Sequence, residues 1–262
     1  MSHSPVRARR RVLVRGDLVH DLTELTVGLP GVHLVLPQCL PTLVLRSGSA
    51  ERVDLLTGAR ARMGSVLCGP STRPWAVREE PGSRVTVLRL RPEALVRLGA
   101  PVPQLVDGCV DLDVWGLRLG GAAGVDAGDR DTAALDRALS EVATPVDDVL
   151  RQRVGAAVGL VLAHGGVVST VEMARAAQLP PSELFLLLDD ALGLDPERVA
   201  AAERLRRAVR RTVPSGASLQ RVLAGLGELT ALAPRELERL GLDHAGLDLV
   251  LRRGAGLVTD RR

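Results

Sequence analysis

Residues 169–211 constrain this chain more than any other stretch. Ser169 or Thr170 is suited to cap a short helix carrying Val171, Met173 and Ala174. Leu179-Pro180-Pro181 then breaks the chain, because proline lacks the amide that a helix interior needs. A second helix follows from Ser182 to Leu192, with Leu184, Leu187, Leu188 and Leu192 as its core stripe. Gly193-Leu194-Asp195-Pro196 makes a corner, and Pro196 opens a long arginine-rich helix to about Arg211. Helix, tight turn, helix and trailing helix is a helix-turn-helix unit.

A more worn copy follows over about 218–242. Leu219, Val222, Leu223 and Leu226 give one helix, and Gly227 supplies a small residue at the expected crossing. Pro234 opens a second helix with Leu237 and Leu240 inward and Arg235 and Arg239 outward. On the connecting helix Arg204, Arg207 and Arg211 recur at i, i+3 and i+7, while Val199, Ala202, Leu205 and Val209 form the buried side. A solvated face with a Glu203–Arg207 pair accounts for these arginines as simply as phosphate contact does.

Upstream of this helical half the period changes. Residues 32–37, 42–46, 64–70 and 84–92 are short apolar runs between turn residues and read as strands. A short helix opened by Pro92 and stopped by Gly99 follows the last of them. Residues 16–119 therefore form an N-terminal β-rich sensing or dimerisation domain, a small antiparallel barrel or sandwich of cupin-like type. Residues 1–15, with Arg7, Arg9, Arg10 and Arg11, read as a basic arm, better explained as an unstructured tail than as a phosphate contact. Residues 120–131 are the linker, and 132–262 a helical domain with further helices at 132–142 and 145–164. The fold class is α+β in two domains, the second an all-α double helix-turn-helix.

Composition excludes several classes. With 46% hydrophobic and 25% charged residues the chain is that of a folded globular protein, and no apolar run reaches the roughly 18 residues of a membrane span. No signal-peptide pattern stands at the N-terminus, so a cytoplasmic location is expected. Net charge is only +3, so attraction to nucleic acid must come from local clustering. All 34 basic residues are arginine and aromatics are nearly absent, a bias of composition. Cys39, Cys68 and Cys109 form no C-x-x-C pair and read as plain buried thiols. The five histidines lack metal-ligand spacing, so neither a metal nor a cofactor is expected. The glycines at 120–124 do not have the G-x-G-x-x-G spacing and follow no strand. Asp107, Asp111 and Asp113 around Cys109 are the nearest approach to a catalytic cluster, and a turn entering a strand explains them better. No catalytic residue is expected, and the chain is not read as an enzyme.

The corner 193–196 followed by Glu203-Arg204-Leu205-Arg206-Arg207-Ala208, the turn at 179–184, and the segments 36–39, 42–45, 68–74 and 111–116 occur together in this order. In this combination the chain resembles the AraC family of regulators. The resemblance implies two recognition helices set into successive major grooves of duplex DNA, joined by a long helix. It also implies a β domain that senses a small-molecule effector or forms a homodimer. DNA contact is then expected at Arg204, Arg207, Arg211, Arg235 and Arg239, the last two leading. Where the family shows arginine or other polar residues, the first recognition helix here has Ser182, Glu183 and Leu186. Phe185 and Leu186, with Asp189 and Asp190 behind them, suit a protein partner instead. Two readings stand: a DNA-binding regulator, or a degenerate one acting through protein contacts.

Overall fold

The computed structural model describes residues 6–13, 16–27, 31–112, 132–212, 219–230, 238–239, 242 and 244–259. Ten strands come first: β1 (Val6–Leu13), β2 (Val19–Val27), β3 (Gly31–Val35), β4 (Thr42–Ser47), β5 (Ala50–Asp54), β6 (Arg60–Met63), β7 (Val66–Cys68), β8 (Trp75–Glu79), β9 (Arg84–Leu90) and β10 (Cys109–Asp111). Two short helices, α1 (Ala94–Arg97) and α2 (Val102–Leu105), precede β10. The helical half contains α3 (Thr132–Val142), α4 (Asp148–His164), α5 (Thr170–Ala176), α6 (Pro181–Leu192), α7 (Pro196–Thr212), α8 (Leu219–Thr230) and α9 (His244–Thr259). The linker expected at 120–131 lies outside the described residues.

The strands form two antiparallel sheets, ordered β1-β2-β9-β4-β7-β10 and β3-β8-β5-β6. Alternation along each strand explains how they pack. On β4, Val44 faces the other sheet, while Leu43 and Leu45 face away from it. Val66, Val77, Val85, Met63 and Trp75 join Val44 in one buried layer drawn from both sheets. Of the barrel and the sandwich, the sandwich is the outcome: the edge strands of the two sheets do not pair, so no barrel closes. The stretch 6–13, expected as an unstructured tail, is instead a strand. β1 pairs antiparallel along most of β2, from Val6↔Val27 to Leu13↔Asp21.

The outer face of each sheet is covered. Leu43, Leu45, Leu67, Leu88 and Leu90 of the six-stranded sheet pack under α1, α2 and α3. Val53, Leu55 and Ala76, from the four-stranded sheet and its adjoining turn, pack against Ala201, Ala202, Leu205 and Val209 of α7 together with apolar residues of α8 and α9. A further core holds α4, α5 and α6 around Met173, Leu184 and Leu188, and it also buries Cys39 and Leu40 of the β unit. Among the described residues, no helix is long and apolar enough to cross a membrane.

Polar groups inside the sandwich are largely paired. Arg46 donates to Glu79 across the two sheets at 2.6 Å, with both side chains 2% exposed. On the face of β9 that carries Val85 and Val87, Arg89 forms a fork with its register partner, the buried Asp21. The cysteine reading is corrected. Cys68 and Cys109 form a disulfide between register partners on β7 and β10, and Cys39 is the buried free thiol. Pairing of the edge strand β10 with β7 brings the two sulfurs together, and no spacing in the sequence announces that register.

Candidate nucleic-acid interface

The first helix-turn-helix is built from strong local signals. Ser169 accepts from the Glu172 amide while Glu172 accepts from the Ser169 amide, a complete capping box at the start of α5. Gln178 ends that helix with φ +56°, a left-handed conformation, and Pro181 opens α6 at its first turn. Gly193 closes α6 at φ +68°. A side chain there would also strike Val106, since a Cβ would stand 2.5 Å from its Cγ2. Met173, Ala174, Ala177, Leu184, Leu188 and Leu192 are the buried contacts that fix the two helices against each other.

The outward face of α6 carries no basic residue. Ser182, Glu183, Phe185, Leu186, Asp189 and Asp190 are all exposed, Leu186 at 67% and Phe185 at 43%. Three carboxylates on a helix set towards a duplex would meet phosphates with like charge. The structure brings them together around two apolar side chains.

The arginines lie on the connecting helix α7. Positions 197, 204 and 211 are seven apart and share one stripe, because two helical turns nearly close on themselves. Arg204 donates to the Gly166 carbonyl in the turn after α4. Arg207 runs along the same turn, so close that a Cβ on Gly165 would stand 2.1 Å from its Cδ. Gly165 sits at φ +60° and could not be replaced without moving that arginine. Arg211 is exposed in the last turn. At the other end Arg239 lies 3.4 Å from Glu197 in the first turn of α7. By rise per residue, positions 197 to 211 span about 21 Å. Arg204, Arg207, Arg211 and Arg239 thus mark one flank of α7, opposite the side that Ala201, Ala202, Leu205 and Val209 bury. Arg235 lies outside the described residues.

Arg206 belongs to neither set. It is buried beside Glu203, 3.1 Å away, and desolvation, with Arg89 next in effect, lowers its pKa to about 10. Burial likewise pushes the neighbouring Cys39 thiol up to about 12, which leaves it an inert core residue. Among the described residues, no group of three His, Cys, Asp or Glu is placed to hold a metal ion.

Sequence reasoning found the stripe on α7 but not its supports. Arg204 and Arg207 are positioned by the Gly165-Gly166 turn, a contact between distant parts of the chain that no local pattern announces. The closing helix α9 is masked in the sequence by Gly246, Gly254 and Gly256.

No protein-family model matches the chain, and no curated protein matches it. It is similar to several solved structures. Apo ToxT from Vibrio cholerae strain SCE256 is 10% identical, with 87% of this chain and 97% of that one covered at a TM-score of 0.43. A second ToxT structure from Vibrio cholerae is 8% identical, with 96% and 98% covered at 0.40. The AraC-like transcriptional activator CuxR is 12% identical, with 78% and 80% covered at 0.34. At these identities and TM-scores the likeness is no basis for transferring an activity. The chain's own architecture is a β sandwich followed by a helix-turn-helix and a long connecting helix.

Proposed function

We propose that this protein is a transcription regulator whose helical unit binds duplex DNA through phosphate contacts more than through base edges. The observation that carries this reading is the single flank of α7 occupied by Arg204, Arg207, Arg211 and Arg239. Arg204, Arg207 and Arg211 spread positive charge over about 10 Å of one helix face, within reach of neighbouring phosphates on a strand, while Arg239 stands at the far end paired with Glu197. Arg204 and Arg207 rest on the turn after α4, which reduces the ordering cost of presenting them. Arg235, on the second recognition element, would add a base-edge or phosphate contact. The test is fluorescence anisotropy of labelled random-sequence duplexes across a salt series. The wild type should bind with a linear log–log salt dependence. Arg207→Ala/Arg211→Ala/Arg239→Ala should lose about 0.9 of slope per phosphate contact removed. Absence of binding at low salt, or an unchanged slope in the triple variant, would sink the reading.

A specific observation favours a second reading, in which the chain acts through protein contacts, including a homodimer. The exposed face of α6 sets Phe185 and Leu186 among Glu183, Asp189 and Asp190. An apolar centre with an acidic rim is the surface of a protein contact, not of a DNA reader. Leu186→Arg separates the two. It should strengthen DNA binding if α6 faces the duplex, and it should abolish self-association in sedimentation velocity if α6 is the dimer face.

A further inference from the structure

A cavity of about 370 Å³ lies where the β unit meets α4, walled by Gly16, Asp17, His20, Arg91, Pro92 and Glu93 on one side and by α4 residues on the other. Its charged groups are unequally satisfied. Asp17 is fully engaged: Arg97 donates to it at 2.6 Å, Ser140 Oγ at 3.3 Å and Arg151 at 3.4 Å. Arg151 is shared between Asp17 and Asp148. Glu93 is different. It is 2% exposed, yet among the described residues its carboxylate has no ion-pair partner. Burial holds that carboxyl above the ordinary carboxylate range, against the pull of Arg91, Arg97 and Arg151. Arg91 spends its Nε on the Gly16 carbonyl at 2.9 Å, and its terminal nitrogens have no acceptor among the described residues.

A buried carboxylate and an underused guanidinium thus line one chamber without reaching each other. On the α4 side the wall includes Gly155 and Gly159, where a Cβ would meet nothing within 4 Å. Glycines in mid-helix cost helix stability, and here they leave open space over the backbone. The opposed charges define what would fit: a molecule with a cationic group for Glu93 and an anionic group for Arg91, a few bonds apart. The volume suits a ligand of amino-acid size.

We infer that this chamber is a binding site for a small zwitterion of the α-amino-acid type. Its walls belong to both halves of the molecule, so occupancy joins α4 to the β unit. The inference does not depend on DNA binding, because ligand binding is read without DNA.

The experiment is a thermal-shift screen of the full-length protein against the twenty amino acids and glycine betaine, with propylamine and propionate as single-charge controls. Calorimetry follows on any hit. At least one zwitterion should raise Tm saturably, while the two single-charge controls should not. Glu93→Gln should weaken binding by about ten- to hundredfold, the loss of a charge-assisted contact. Gly155→Leu, which fills the chamber, should abolish it. Both variants should fold, because one exchanges a buried carboxylate for an amide of the same shape and the other replaces a helical glycine, and their ligand-free Tm checks this. No saturable shift with any zwitterion, equal binding of a single-charge control, or binding unchanged in both folded variants would overturn the inference.

Discussion

His33 shows how the sandwich interior treats ionisable groups. It stands half-buried on β3, with its Nδ1 buried and unpaired among the described residues, and desolvation, with the charge of Arg46 second, lowers its pKa from 6.5 to about 4. A histidine held neutral in the fold takes up its proton only when the chain opens. Between pH 6.5 and about 4 the unfolded state therefore binds the extra proton, and stability falls as pH falls through that window. Urea denaturation at pH 7 and pH 4.5 should show a loss of about 2–3 kcal/mol from this one group. His33→Gln should remove that part of the loss, and an acid limb unchanged by the substitution would refute the assignment. The nearby Arg46–Glu79 pair behaves differently, because each charge has its partner at 2.6 Å. Burial still raises the Glu79 pKa and lowers that of Arg46, while their mutual attraction opposes both shifts. None of this could be read from the sequence. Arg46 was legible as the last residue of an apolar strand, but only the pairing of β4 with β9 and of β8 with β3 and β5 directs it at Glu79.

At the scale of elements, the caps and turns did what their residue types require. Asp147 caps α4 by accepting from the Val149 amide, and Gly165 closes that helix in the left-handed region. Asp107 makes the turn into β10 at φ +57°, its carboxylate accepting from the Thr72 amide at 2.7 Å, the Thr72 hydroxyl at 2.8 Å and the Arg73 amide at 3.0 Å. The same turn is held by Arg52, which donates to the Asp107 carbonyl and lies over the Trp75 ring, 4.7 Å from its centroid. β10 is only three residues long, and the disulfide fastens it to β7. The bond closes a loop across a sequence separation of 41, so its reduction should cost about 2–4 kcal/mol by restoring freedom to the unfolded chain. Denaturation with and without a dithiol reductant measures this, with Cys68→Ala/Cys109→Ala as the control that reductant should leave unaffected.

On the scale of the whole molecule, α7 is the member shared by both halves. Val199 belongs to the helix-turn-helix core, while Ala201, Ala202, Leu205 and Val209 belong to the core formed with the four-stranded sheet, α8 and α9. A helix with two buried flanks makes the β and helical units cooperate in unfolding. Leu205→Ala should therefore cost about 2–5 kcal/mol. Fluorescence of Trp75 on β8, isolated by Trp115→Phe, and far-ultraviolet dichroism dominated by the helices should shift together in urea. Separate transitions in the variant would mean that the sheet and α7 are not one cooperative body. The same docking leaves one flank of α7 to its arginines, so the proposed DNA surface and the intramolecular core are two sides of one element.

The change from strands to helices, the limits of α3, α6 and α7 to within a residue, the end of α4, and the stripe of Arg204, Arg207 and Arg211 are legible along the chain, whereas α4 begins at Asp148 and not at Pro145. These are local matters: the period of apolar residues, a capping serine or aspartate, a proline or glycine at a break. Tertiary structure alone decided the rest. It made a paired strand of the arginine-rich stretch 6–13 and a disulfide of two cysteines read as free. It also made a helix of residues 244–259 despite Gly246, Gly254 and Gly256, because Leu247, Val250 and Leu257 find a sheet to bury against. Gly254 allows α8 to come close, since a Cβ there would stand 2.7 Å from Leu223 Cδ1. Local signals depend on neighbours a few residues away. Register, docking and pairing depend on residues brought together from distant parts of the chain, whose partners appear only once the chain has folded.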